Sequence, residues 1–190
     1  DIGKSKVISA METLKAYNPD INVAMHDEPI NSKNALDIIS KYDVVINGAD
    51  NFPTRYLICD STFFAKKPLI DGSVLTFDGQ ITTYVPGGNC YRCIFPDPPP
   101  PGSVPSCSEA GVIGALPGLI GSIQAIETIK YILGAGDLLK GRMILIDSLS
   151  MEFRTVKIRR NENCVLCGDN PSVKELIDYE LFCGMPSVEE

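Results

Sequence analysis

Two cysteine pairs at the same spacing, Cys90 and Cys93 in "NCYRC" and Cys164 and Cys167 in "NCVLC", are the residues of this chain best equipped for chemistry. One CxxC alone could close a disulfide, act as a redox couple or hold half of a metal ion. Two such pairs brought together offer four thiolates. Zinc takes that number and type of ligand in closed tetrahedral sites, which leave no position open for water. The spacing therefore predicts a structural Zn2+ site that staples two distant parts of the chain. The alternatives are disulfides or two independent redox motifs, but neither pair opens a helix after a thioredoxin-like strand.

Cys59, Cys107 and Cys183 remain. Cys59 lies in an apolar helical stretch and reads as a small buried hydrophobe, while Cys183 carries no signal. Cys107, in "VPSCSEAGV", follows a proline-rich crossing and should be exposed, as a nucleophile meeting a large substrate must be; otherwise it is an incidental loop thiol. Asp50 closes the apolar run "DVVING", at the carboxyl end of a strand, where ligands bind in open α/β sheets. Its other reading is a helix N-cap for "FPTRYL". The single histidine, His26, reads as a solvated loop residue, so a His-dependent nucleophilic mechanism is disfavoured.

Composition narrows the classes further. The 190 residues suffice for one large domain, and 44% apolar content permits a sizeable core. A net charge of −7 argues against nucleic acid or an anionic membrane as partner. No apolar run is long enough to span a bilayer. Seven cysteines, unevenly placed, fit a reducing cytoplasm better than a secreted disulfide framework.

The elements that must position these residues alternate. "KSKVISAMETLKAY" reads as a helix ending at Asn18-Pro19, "INVAM" as a short strand, and "KNALDIISKY" as a helix capped by Ser32. "DVVING", the helix "NFPTRYLICDSTFFAKK" and the strand "PLIDGS" complete a pattern that predicts an α/β fold, a partial doubly wound sheet with helices on both faces. A β-hairpin turning at Asp78-Gly79 follows. "PDPPPPGSVP" holds six prolines in ten residues and predicts an extended crossing. A long helix then starts near Pro117 and ends at Gly134, with the small residues Gly118, Gly121, Ser122 and Ala125 on one face. "RMILID" and "FRTVKIRR" read as late strands. Residues 1–168 are expected to form the domain, with the crossing at 96–107, and 169–190 a loosely packed acidic tail.

Taken in order, "GKSKV", "NGADNFPTR", "DGQITTY", "CYRC", "CSEAGV", "IGSIQAIETIKYILG" and "CVLCG" resemble the MoeB/ThiF/HesA adenylyltransferases, relatives of the ubiquitin-activating enzymes. The resemblance covers nearly the whole chain but lacks the family's opening strand, glycine-rich phosphate loop and phosphate-contacting arginine, so the chain looks like the C-terminal two-thirds of such an enzyme. It implies ATP- and Mg2+-dependent adenylation of the C-terminal glycine of a ubiquitin-like sulfur carrier ending in Gly-Gly. Molybdopterin and thiamine synthesis are candidate pathways, with a separate sulfur donor (a cysteine desulfurase or rhodanese) and a homodimer. It makes Asp50 the magnesium ligand, places Asn51 in the nucleotide site, gives Lys6 a phosphate contact and lets Arg55 steady the loop. Cys107 matches the cysteine with which some members hold the activated carrier. Two competing readings are a zinc-stabilised carrier-binding module without catalysis and an NAD-dependent oxidoreductase. The second lacks a Tyr-x-x-x-Lys pair and leaves the cysteines unexplained.

Overall fold

The computed structural model describes residues 1–105 and 107–184, with Cys107 and Ser108 as backbone only. It divides into two compact units, Asp1–Ile30 and the chain from Asn31 onward. The first unit contains one helix, α1 (Lys6–Tyr17), which ends at Asn18 before Pro19 as expected. "INVAM" forms no strand. A strand needs a neighbour to complete its hydrogen bonds, and this unit offers none; the Ile21 carbonyl instead accepts from the Lys15 ammonium.

The second unit is built on a mixed five-stranded sheet of order β1-β2-β3-β4-β5: β1 Val45–Asn47, β2 Leu69–Leu75, β3 Asp78–Tyr84, β4 Arg142–Asp147 and β5 Glu152–Lys157. Among the described strands, only β1 and β2 run parallel, joined by the helix α3 (Phe52–Phe64); the later strand pairings are antiparallel. The doubly wound expectation therefore holds for a single βαβ step. A short helix, α2 (Ala35–Ile39), precedes β1. Its N-cap is Asn34 and not Ser32, whose hydroxyl donates to the Ile177 carbonyl.

The hairpin turns at Thr76-Phe77, one pair earlier than "DG" suggests, because Leu75 and Asp78 still pair. Gly79 serves packing instead. A Cβ there would sit 3.0 Å from Ile120 Cδ1. Helix α5 (Ala115–Leu133) lies on this face and buries Leu116, Ile120, Gln124 and Glu127, while its cap Gly134 adopts φ 60°. The core of Ile70, Ile81, Leu116, Ile120, Leu139 and Ile146 fills the contact, each side chain contributing about 1.5–3 kcal/mol by burial. The small residues Gly118, Gly121, Ser122 and Ala125 do not face the sheet; they are exposed beside Ile126 and Ile129. Close approach comes from strand glycines, not helix glycines.

Among its described residues, the proline-rich crossing carries no helix or strand until α4 (Cys107–Ala110). The acidic tail is not loose up to Gly184. Its helix α6 (Tyr179–Phe182) packs on α3, with Tyr179 and Cys183 buried. The reason is an ion pair with no access to water. Arg92, 1% exposed, lies inside the first CxxC and donates from Nε and Nη2 to Asp60 of α3, at 2.8–3.1 Å. Tyr179 donates its hydroxyl to the same carboxylate at 2.8 Å, and the guanidinium lies over the rings of Tyr56 and Phe182.

Breaking one side of such a pair strands a buried charge, at about 3–5 kcal/mol. Arg92→Met should lose stability on that scale in urea melts. Adding Asp60→Asn to it should recover a substantial part, because the orphaned carboxylate is gone.

Candidate active site and metal centre

The turn after β1 is fixed from below by buried polar groups. Asn47, fully buried, donates from Nδ2 to Asp71 Oδ1 at 2.8 Å and accepts the Ala49 N–H on its own Oδ1 at 2.9 Å. Arg55 donates from Nη1 to Asp71 Oδ1 and from Nη2 to the Ala49 carbonyl, both at 2.7 Å. Burial pushes the Asp71 carboxyl above its ordinary value, and the Arg55 charge and the Asn47 hydrogen bond oppose that rise. Arg55 thus steadies the loop as the resemblance suggests. Asp50 is carried on top of this framework, exposed at the carboxyl end of β1.

The helix-capping role falls to Asn51, not Asp50. Asn51 Oδ1 accepts from the Thr54 N–H at 2.9 Å, and its Nδ2 reaches Asp50 Oδ1 at 3.3 Å. Asp50 is thereby left free of capping duty. Both residues line a cavity of about 940 Å3 that runs between the sheet and the proline-rich crossing, with Arg55, Gln80 and Arg154 in its wall. Lys6 is the exposed first residue of α1, in the other unit. Cys107 opens α4, next to Pro105 and Glu109 of the cavity wall; its side chain lies outside the described residues.

At the other end of the hairpin, the four predicted sulfurs converge. All lie within 4.8 Å of one another, with Cys90–Cys164 at 3.5 Å, Cys93–Cys167 at 3.3 Å and Cys90–Cys93 at 3.9 Å. Sulfurs around a tetrahedral zinc with bonds of about 2.3 Å stand about 3.8 Å apart, so the donor set fits that ion. The Cys93 thiol is pulled down by hydrogen bonds from Cys167 and Cys90 and by the N–H groups of Asn161 and Cys90, against desolvation. Gly168 closes the second pair where no side chain fits. A Cβ there would lie 2.4 Å from the Cys164 carbonyl oxygen. Cys59, as expected, is a buried thiol within α3.

Sequence comparison gives this geometry a context. The ThiF family matches residues 1–166. The chain belongs to the ThiF family. Among curated relatives, a sulfur carrier protein adenylyltransferase of Thermus thermophilus is 47% identical over 97% of this chain and 70% of its own length. An adenylyltransferase and sulfurtransferase MOCS3 of Culex quinquefasciatus is also 47% identical, over the whole chain but only 44% of its own length. The chain thus spans less than half of that relative. Two crystal structures of E. coli MccB share the fold. One superposes with a TM-score of 0.73 at 20% identity over 90% of this chain and 51% of that one; the other, solved with ATP, gives 0.74 at 21%, over 89% and 53%.

Within this ThiF-family chain, sequence reasoning missed Asn47, Asp71, Gln124, Asp60, Arg92 and Tyr179. Asp71 had a visible signal, a charge in the middle of the apolar strand "PLIDGS". The partners of Arg92 had none, because they come from elements far apart in sequence.

Protein purified without added metal should contain about one equivalent of zinc per chain by elemental analysis, and Cys164→Ala should contain almost none. Zinc retained by that variant would remove Cys164 from the ligand set.

Proposed function

We propose that this protein uses ATP to adenylate the C-terminal glycine of a ubiquitin-like sulfur carrier ending in Gly-Gly. Support comes from family membership, from the name of its 47%-identical Thermus relative, a sulfur carrier protein adenylyltransferase, and above all from the placement of Asp50. An exposed carboxylate facing a triphosphate is repulsive unless it holds a cation. The Asp50 carboxylate sits at a strand's carboxyl end over a turn that hydrogen bonds hold in one conformation, which suits it to that task. Asp50 would hold Mg2+, Asn51 would face the nucleotide, and Lys6 is assigned a phosphate contact on the strength of the "GKSKV" match. Bound Mg2+ supplies charge neutralisation on the phosphates.

The chemistry asks for positioning more than for a base. The carrier's carboxylate is already ionised, and its oxygen attacks the α-phosphorus while pyrophosphate departs with the bridging oxygen's electron pair. Two anions must meet, so the cationic groups around them lower the barrier. Cys107 is proposed to act afterwards. Its thiolate would attack the anhydride carbonyl and expel AMP, giving a thioester that a sulfur donor can use. The four cysteines are assigned structural Zn2+, with a binding free energy on the order of 10 kcal/mol in zinc-finger peptides. We further expect a homodimer working in a reducing compartment such as the cytoplasm.

Asp50→Ala in the complete gene product should lower carrier-dependent ATP–pyrophosphate exchange about a hundredfold or more. Robust exchange by that variant would remove Asp50 from the mechanism. Cys107→Ala should keep the exchange and lose any reductant-sensitive adduct with the carrier. Loss of exchange would instead place Cys107 in the adenylation step, and sulfur transfer at the normal rate would make it a bystander.

A further inference from the structure

Gln124 is an amide on the buried face of α5, beside Leu116, Ile120 and Glu127, and only 7% of it is exposed. Its Nε2 donates both hydrogens into the sheet, to the Asn47 carbonyl at 2.7 Å and to the Ile70 carbonyl at 3.1 Å. Two acceptors leave no choice of amide orientation, since the flipped form would set three oxygens against one another. The contact also dictates a strand residue. A Cβ on Gly72 would lie 2.6 Å from Ile120 Cγ2 and 2.9 Å from both Cδ and Nε2 of Gln124. A helix carrying only apolar residues would pack on this sheet equally well, so burial alone does not account for the amide.

Its position along β1 does. Asn47 is the last residue of the strand, and its carbonyl belongs to the first peptide plane of the turn that ends at Asp50. Asn47 Oδ1 holds the Ala49 N–H, and Arg55 holds the Ala49 carbonyl. Gln124 holds the Asn47 carbonyl from the opposite face of the sheet. Without it, the Asn47 carbonyl keeps only its place in the parallel β1–β2 ladder, and Gly48 offers no Cβ to limit rocking of the plane that follows.

We infer that Gln124 is a positioning residue for Asp50, setting the first peptide plane of the turn from across the sheet. This rests on the reading of Asp50 as the cation-holding carboxylate. It assigns the close packing of Gly72 against Gln124 to function as well as to the core.

The test compares Gln124→Met, nearly the same in volume but without a donor, with Asp50→Ala and the unaltered gene product, in carrier-dependent ATP–pyrophosphate exchange titrated with Mg2+. Gln124→Met should raise the Mg2+ concentration for half-maximal exchange about tenfold, the lower end of what losing an orienting partner costs a metal site, while the KM for the carrier stays put. Hydrogen exchange of the peptide covering residues 48–52 should rise at the same time, with β3 and β4 still protected. Gln124→Leu, which also lacks the donors, should show the same Mg2+ shift and serves if Gln124→Met does not fold. An unchanged Mg2+ requirement in a folded variant overturns the inference. So does a loss of activity that moves the carrier KM in step with the Mg2+ requirement, which would mark general damage. Full exchange by Asp50→Ala overturns the underlying reading, whatever Gln124 does.

Discussion

Helix α3 carries a buried cation, Arg55, and a buried anion, Asp60, and neither neutralises the other. A charge held away from water must find its opposite nearby, so each recruits a partner from a different element. Arg55 takes Asp71 on β2, and Asp60 takes Arg92 in the first CxxC turn. This requirement of local neutrality fixes α3 at both ends. The candidate active turn hangs from one pair and the sulfur cluster from the other, so a single helix carries both sites.

The two ends differ in how much they can give. At the Arg55 end, every donor also serves a backbone group of the turn after β1, so a shift of the helix is felt directly at Ala49. At the Asp60 end the carboxylate takes hydrogen bonds from Arg92 and Tyr179 together. Aromatic rings of Tyr56, Tyr91 and Phe182 close around it in edge-to-face contacts. That cluster gives residues beyond the family match a reason to be ordered.

Most of the element order was legible, because β1, α3, β2 and α5 show their burial as unbroken apolar runs or helical spacing. The four-sulfur cluster was legible for a different reason: a ligand set repeats its spacing whatever the fold around it. What failed were inferences from local chemistry that ignored neighbours. Asp78-Gly79 has turn residues, yet Gly79 is small for the sake of Ile120. Ser32 looks like a cap, yet the Ile177 carbonyl claims it. "INVAM" has strand residues but no strand to pair with. Asp50 was legible by its place after β1, whereas the supports beneath it could not be read from sequence. Asn47, Asp71, Arg55 and Gln124 come together only when β1, β2, α3 and α5 are assembled.

The two CxxC pairs also act on the unfolded chain. Any link between them turns the intervening stretch, which includes α5, β4 and β5, into a closed ring of about 70 residues. Cross-linking a ring of that size removes disorder from the denatured ensemble worth about 4 kcal/mol in the chain-entropy treatment. The ring also shortens a long search. β3 ends at Tyr84 and β5 ends at Lys157, each within ten residues of the junction, and β4 must come to lie between them. Tethered there, β3 and the β4–β5 hairpin, far apart in sequence, become near neighbours in the collapsing chain, and the closure entropy of their non-local pairing falls.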